Sequence, residues 1–169
     1  MTHLTAEKLR DVMHYNPDTG IFRWTKSRTN AVKDGTELKP NNPYGYIEVR
    51  VLGWRGFAHR LAFLFMDGKL PDNYVDHING DKTDNRWSNL RDVPHVENMK
   101  NRCLSKSSSS GAIGVSYCKS TGRWKAYINV GDKQKHLGRY DGFEEAVAAR
   151  KNAEVVYGFH ENHGRAAIA

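Results

Sequence analysis

Tyr74-Val-Asp-His-Ile-Asn-Gly-Asp-Lys-Thr-Asp-Asn-Arg-Trp-Ser-Asn-Leu-Arg-Asp-Val-Pro-His-Val-Glu-Asn-Met-Lys-Asn-Arg102 is the stretch on which the fold turns. Tyr74 to Ile78 suits a short strand, and Asn79-Gly80 is a strong turn signal. Asn79 to Ser88 reads as a polar loop and Asn89 to Val93 as a returning strand. Pro94 fits the first turn of a helix running to about Arg102, because its missing N–H is one that a helix start leaves unbonded anyway. The order is strand, loop, strand, helix.

Upstream, Ala6 to Met13 reads as a short helix, followed by the turn Asn16-Pro-Asp-Thr-Gly20 and a strand at Ile21 to Trp24. Gly45 to Leu52 alternates apolar and polar residues, as a half-buried strand does, with a hairpin turn expected at Gly53 to Gly56. Ala58 to Met66 is helical in pattern, with Leu61, Leu64 and Phe65 facing a core. Downstream, Ser105 to Gly111 is Ser-rich, has almost nothing to bury and reads as a flexible linker. Beyond it, Gly114 to Tyr117, Arg123 to Val130 and Lys133 to Tyr140 read as three strands joined by turns at Ser120 to Gly122 and Gly131-Asp132. Phe143 to Tyr157 reads as a helix with Phe143, Ala146, Val147, Ala153 and Tyr157 along one apolar face.

The 169 residues are 38% hydrophobic with a mean hydropathy of −0.73, which favours small modules over one large core. The longest apolar run, Leu61 to Met66, is far short of the roughly 20 residues a membrane span needs. The N-terminus lacks a signal-peptide apolar region, so a cytoplasmic protein with no membrane partner is the expectation. Cys103 and Cys118 stand apart with no CxxC spacing, which excludes a cysteine-built zinc site and fits a reducing compartment. The net charge is +7, and it is unevenly spread. Residues 1–56 carry +3, residues 57–102 balance seven cations with seven carboxylates, and residues 103–140 carry +6. Basic flanks around a neutral, carboxylate-rich centre suit a polyanionic partner held at the flanks and a cation held at the centre.

Hydrolysis of a phosphodiester needs a base for water, neutralisation of phosphate charge and stabilisation of the leaving oxygen. Histidine serves the first near neutral pH, and a hard divalent cation on oxygen ligands serves the other two. Asp76 and His77 on the first strand, Asn89 at the second and Asn98 on the helix are the candidates. An Asp carboxylate and an Asn amide oxygen leave coordination room for water and phosphate, as magnesium prefers. Consecutive strand residues point to opposite faces, so Asp76 and His77 serve one phosphate only if the strand ends or bends there, or if the phosphate straddles its edge. Asp81, Asp84 and Asn85 imitate an EF-hand loop, but Gly80 precedes them and no Glu stands at the twelfth position.

Val75-Asp-His-Ile-Asn-Gly-Asp-Lys-Thr-Asp-Asn-Arg-Trp-Ser-Asn-Leu90, followed by Glu97-Asn98, resembles the HNH motif of phage homing and nicking endonucleases, which share the ββα-metal fold. His59-Arg-Leu-Ala62 and the stretch from Asn16 to Trp24 extend the resemblance over most of residues 6–102. It implies His77 as general base, Asp76 and Asn98 as ligands of one Mg²⁺ or Mn²⁺, and Asn89 as the residue that braces the loop and orients His77. His59 and Arg60 are candidate phosphate contacts. Many relatives carry paired cysteines for structural zinc; this chain does not, and none is expected.

The middle strand of the C-terminal part separates Trp124, Ala126, Ile128 and Val130 from Arg123, Lys125, Tyr127 and Asn129. Cations interleaved with an aromatic and an amide favour phosphate and base contacts. Gly114-Val115, Arg123-Trp-Lys-Ala-Tyr-Ile128, His136-Leu-Gly138 and Phe143-Glu-Glu-Ala146 resemble the AP2 DNA-binding domain over about residues 111–160. That resemblance implies a three-stranded antiparallel sheet packed on one helix, with Arg123, Lys125, Tyr127, Asn129 and His136 as DNA contacts. Ser116 and Gln134 stand where the plant pattern has arginines.

The expectation is therefore an α+β chain: a strand-rich N-terminal support at 1–56, an HNH nuclease module at 57–104, a linker at 105–111 and an AP2-like module at 112–169. Its expected activity is metal-dependent cutting or nicking of double-stranded DNA by a monomer or weak dimer, in the bacterial host cytoplasm if phage-encoded. The rival from another class is a catalytically silent AP2/HNH regulator that binds DNA, and a third is an RNA-processing nuclease. Loss of His77, Asp76 or Asn98 would have favoured the regulator, and all three are present.

Overall fold

The computed structural model describes residues 4–26, 33–105 and 108–166. Contacts divide the chain into two compact units, Met1–Pro94 and His95–Ala169. Lys106 and Ser107, within the expected linker, lie outside the described residues.

The first unit opens with helix α1 (Ala6–Arg10), whose Thr5 hydroxyl caps it by accepting from the Lys8 amide at 3.3 Å. The expected helix to Met13 is not formed. Met13–Asn16 is strand β1, paired antiparallel with β2 (Ile21–Trp24). Met13 and Tyr15 are buried and His14 is exposed, the two-residue period of a strand. The reason is tertiary: the tight turn after Asn16 folds this segment onto Ile21–Trp24, and cross-strand pairing outweighs the weak local helix preference. Asn16 Oδ1 accepts from the Asp18 and Thr19 amides and holds that turn.

Strand β3 (Glu48–Val51) pairs with β4 (Trp54–Phe57), which corrects the expected turn at Gly53 to Gly56. The turn is the two residues Leu52-Gly53, both at positive φ, the geometry that two-residue hairpins favour. Helix α2 (Ala58–Met66) follows directly, and every residue from Ala58 to Phe65 except Arg60 is buried. It is the centre of a core shared with Leu9, Met13, Tyr15, Phe22, Trp24, Val49, Val51 and Leu90. Tyr15 stacks on Phe22 with ring centroids 4.4 Å apart. Strand β5 (Tyr74–His77) then pairs with β6 (Leu90–Val93) across a twelve-residue connection that ends in a 3-10 turn at Trp87–Asn89.

The second unit begins with helix α3 (His95–Met99), shorter than the span to Arg102 expected from the pattern. The segment after it is drawn into backbone pairing with the C-terminal tail. His160 N donates to Lys100 O at 3.2 Å, Gly164 N to Arg102 O at 2.8 Å and Leu104 N to Arg165 O at 2.8 Å. These bonds explain why α3 groups with the C-terminal residues. Strands β7 (Val115–Cys118), β8 (Arg123–Val130) and β9 (Lys133–Tyr140) form an antiparallel sheet in sequence order, and helix α4 (Phe143–Val156) packs against it. Ala126 and Ile128 are fully buried, as the alternation along β8 requires. Val115, Ala126 and Ala146 form the centre of this small core, with Trp124, Leu137, Tyr140, Phe143 and Val147 around them.

The apolar-face reading of α4 omitted two buried charges. Arg150 Nε donates to Glu154 Oε1 at 3.0 Å, and its Nη1 donates to Tyr127 O at 2.9 Å. Gly114 allows this, since a Cβ there would lie 2.3 Å from Tyr127 O. The guanidinium thus occupies the place of a small core residue and satisfies a strand carbonyl.

Candidate active site

Strand β6, helix α2 and the loops carrying Tyr46 and Asn85 meet at His77. It is the last residue of β5, opposite Leu90, and its carbonyl accepts from Gly80 N at 2.8 Å as the chain turns away. His77 is 4% exposed. Its Nε2 lies 3.1 Å from Asn85 Oδ1. An amide oxygen only accepts, so Nε2 carries the proton and Nδ1 is the basic nitrogen. The amide orientation follows from Asn85 Nδ2, which donates to Thr83 O at 3.3 Å.

Asn85 is itself 1% exposed and held by the first hairpin. Tyr15 Oη donates to Asn85 O at 2.7 Å, and Trp87 N donates to Pro17 O at 2.8 Å. Gly20, at φ +73°, lets the hairpin turn close on this loop: a Cβ there would stand 2.4 Å from Arg86 N and 2.5 Å from the Asn85 carbonyl carbon. Burial, the largest cause, pushes the Tyr15 hydroxyl above its ordinary pKa, so it stays a donor.

Asn89 closes the loop from the other side. Its Oδ1 accepts from Asn79 N at 3.0 Å, and its Nδ2 donates to Asn79 Oδ1 at 3.0 Å and to Asp84 O at 2.8 Å. Asp84 accepts from Asn79 Nδ2 at 2.7 Å and is paired with Arg86 at 2.6 Å, and the Arg86 hydrogen bond holds its carboxyl below the usual carboxylate range. The loop read as polar is therefore a closed hydrogen-bond network.

Asp76 is 7% exposed and sits opposite Arg91 across the hairpin. Its Oδ2 accepts from Arg91 Nε at 2.8 Å and Nη2 at 2.6 Å. Cross-strand partners share a face, so Asp76 turns with Arg91 while His77 turns to the other side. The strand ends at His77. There Tyr46 and His59 lie 6.1 and 5.1 Å from the His77 ring. Burial lowers the His77 pKa; the Asn85 hydrogen bond and then the Asp76, Asp81 and Asp84 carboxylates oppose that shift.

Of the remaining candidates, Asn98 is half-buried on α3, in the second unit, and its carbonyl accepts from Asn101 N at 3.1 Å. Arg60 donates to Asn73 O at 2.9 Å and Pro71 O at 2.7 Å, tying α2 to the segment that enters β5. His59 is 7% exposed, and burial drives its pKa down to about 3. On β8, Arg123 and Asn129 are exposed while Lys125 and Tyr127 are half-buried. Arg123 is paired with Asp141 at 2.8 Å, and the exposed His136 stands opposite Tyr127. Arg139, opposite Lys125, shares that face and was not among the candidates.

Sequence reasoning also missed Asn85, considered only as an EF-hand imitation, together with Arg91 and Tyr46. Their roles come from strand register and loop closure, for which the sequence carries no local sign. Among the described residues no group of three or more His, Cys, Asp or Glu is placed to hold a metal ion. No described helix is long and apolar enough to cross a membrane.

The family model for HNH endonuclease matches residues 56–100. Protein 3.8 of Escherichia phage T7 is 32% identical over 93 residues, which span 54% of this chain and 77% of that protein. This chain carries an HNH endonuclease domain. The HNH match contains His59, Asp76, His77, Asn89 and Asn98 and stops before β7. A solved structure described as DNA binding and cleavage by the HNH homing endonuclease I-HmuI is also similar, at 22% identity over 89% of this chain and 88% of that one, with a TM-score of 0.40.

Proposed function

We propose that this chain is a metal-dependent endonuclease that hydrolyses phosphodiester bonds of duplex DNA, one strand per active site. The observation that carries the reading is the His77–Asn85 contact. A buried imidazole at a strand end, with Nε2 engaged by an amide oxygen at 3.1 Å, presents Nδ1 as a base of defined direction and tautomer. His77 takes the proton from the attacking water. Asn89 keeps the loop closed around it through its three hydrogen bonds.

The donor set fits a hard divalent cation. Asp76 offers a carboxylate and Asn98 an amide oxygen, too few ligands for a zinc cage and in keeping with Mg²⁺ or Mn²⁺, which retain water. Asp76 and Asn98 would hold such an ion, which would neutralise charge on the phosphate and on the leaving 3′-oxygen. Arg91 holds the Asp76 carboxylate in place through two hydrogen bonds to one oxygen. Cleavage leaves 5′-phosphate and 3′-hydroxyl ends.

The β7–β9 sheet with α4 behind it serves as an AP2-like reader of duplex DNA. The +6 charge of residues 103–140 supports this reading, as does the face that carries Lys125, Tyr127 and Arg139 with His136 and Asn129 beside them.

Plasmid cleavage with Mg²⁺ or Mn²⁺ tests the proposal, with wild type compared against His77→Ala and against added EDTA. Nicked or linear product that disappears in both controls is expected. Intact plasmid that is nonetheless retarded on a gel would replace the nuclease with a DNA-binding regulator.

A further inference from the structure

Helix α3 carries Asn98, the amide ligand of the proposed cation site, yet none of its five residues is buried. Val96 and Met99 are 50% and 38% exposed, and a helix this short depends on packing for its stability. The first buried residue after it is Asn101, whose backbone amide donates to Asn98 O at 3.1 Å. Asn101 is gripped from the C-terminal tail. Arg165 Nη1 has three acceptors around it: Asn101 Oδ1 at 2.7 Å, Asn101 O at 3.2 Å and Asn162 O at 2.7 Å. The backbone bonds that join Lys100, Arg102 and Leu104 to His160, Gly164 and Arg165 flank this contact.

The tail is anchored in turn to the body of the second unit. His163 is buried, its Nε2 lies 3.2 Å from Arg150 Nη2, and its carbonyl accepts from Lys151 Nζ at 3.1 Å. A guanidinium only donates, so His163 Nε2 is the acceptor. Phe159 meets the His163 ring edge-on at 4.8 Å and lies 5.2 Å from the Arg150 guanidinium. Arg150 also donates to Tyr127 O on β8. The end of α3 is thus tied, through the tail, to α4 and to the three-stranded sheet.

We propose that residues 159–165 form a strap that fixes α3, with Arg165 as the positioning residue for Asn98. It rests on the nuclease reading given above. A neutral amide oxygen brings no net charge to a cation, so its contribution depends on being held in one place. Arg165 does not touch the reacting atoms. It acts through Asn101, which is bonded to Asn98 on one side and to the tail on the other.

The test uses the full chain with Arg165→Ala, and cleavage is measured over a series of Mg²⁺ concentrations. The expectation is a rise of about tenfold in the Mg²⁺ concentration at half-maximal rate, with DNA affinity measured without metal within about twofold of wild type. An unmoved midpoint would overturn the proposal, even with a lower rate at every Mg²⁺ concentration, because that pattern marks loss of folded protein. If Arg165→Ala does not fold, Arg165→Lys takes its place: its shorter chain draws the nitrogen back, and the midpoint is expected to move in the same direction. Hydrogen exchange of the full chain, read without metal or DNA, separates this proposal from the nuclease reading. Amides of residues 97–104 are expected to exchange about tenfold faster in Arg165→Ala, and those of β8 as in wild type. Unchanged exchange over residues 97–104 would end the strap whatever the protein cuts. If wild type cuts nothing while exchange rises as expected, the nuclease reading fails, and the part of Asn98 in it, while the strap on α3 stands.

Discussion

At the scale of single residues, the site depends on a chain of neutral hydrogen bonds. Tyr15 holds the Asn85 backbone, and Asn85 holds His77 Nε2. Asn85→Ala removes the tautomer lock without touching DNA. Single-turnover cleavage by that variant should be slower by about one to two orders of magnitude, with DNA affinity from gel shift unchanged. His59 gives a separate, acid-side signature. Its folded pKa, about 3, lies below its ordinary value of 6.5, so below pH 6.5 the unfolded state binds a proton that the folded state refuses. Stability is therefore undiminished above that value and falls as pH drops from 6.5 toward 3, by roughly 1 kcal/mol per pH unit from this group. Melting temperatures at pH 7 and pH 5 should differ less for His59→Phe than for wild type. An identical difference in the two proteins would remove His59 as the source.

At the scale of elements, the β1–β2 hairpin is the support on which the loop carrying Asn85 rests. Gly20 is where the two backbones meet, and the space beside its Cα is taken by Arg86 N and the Asn85 carbonyl carbon. Both obstacles are main chain, so a methyl group there finds no flexible side chain to displace. Gly20→Ala should destabilise the protein by about 2 kcal/mol or more, since it adds a backbone clash to a strained positive φ. Denaturant unfolding checks the size of the effect. Cleavage should fall further than the loss of folded protein explains, because the displaced loop carries Asn85. The elements of the motif were largely legible in sequence. Ile21–Trp24, Ala58–Met66, Arg123–Val130 and Lys133–Tyr140 have the bounds that periodicity and turn residues imply. Met13–Asn16 was not, because its strand character comes from a partner eight residues on, across a turn whose consequence for the preceding segment a helical window does not register. Trp54–Phe57 was missed for the opposite reason: Leu52-Gly53 is not a usual hairpin turn pair, and the glycines at 53 and 56 drew the turn too far along.

At the scale of the whole molecule, charge is spread unevenly, as the proposed binding of a polyanion requires. The net +7 is concentrated in the flanks, above all in residues 103–140. Binding to duplex DNA should weaken steeply with salt, log Kd changing linearly with log salt concentration. Lys125→Ala should reduce that slope by about 1 while lowering affinity similarly for unrelated sequences, if its contact is to phosphate. Fluorescence anisotropy over a salt series makes the measurement, and an unaltered slope would remove Lys125 from the phosphate contacts.

The sequence alone determined the strand–loop–strand–helix order, the candidate base and ligands, and the family resemblance, because these are local: turn residues, periodicity and the spacing of Asp76, His77, Asn89 and Asn98 act over a few dozen residues. Only the tertiary structure decided that Asn85 meets His77, that Arg91 pairs with Asp76 and that His59 is buried beside His77. It also decided that Arg150 and Glu154 form a buried pair rather than a solvated one. Each of these depends on register, loop closure or desolvation. Those properties arise when segments far apart in sequence come together and exclude water, so no window along the chain contains them.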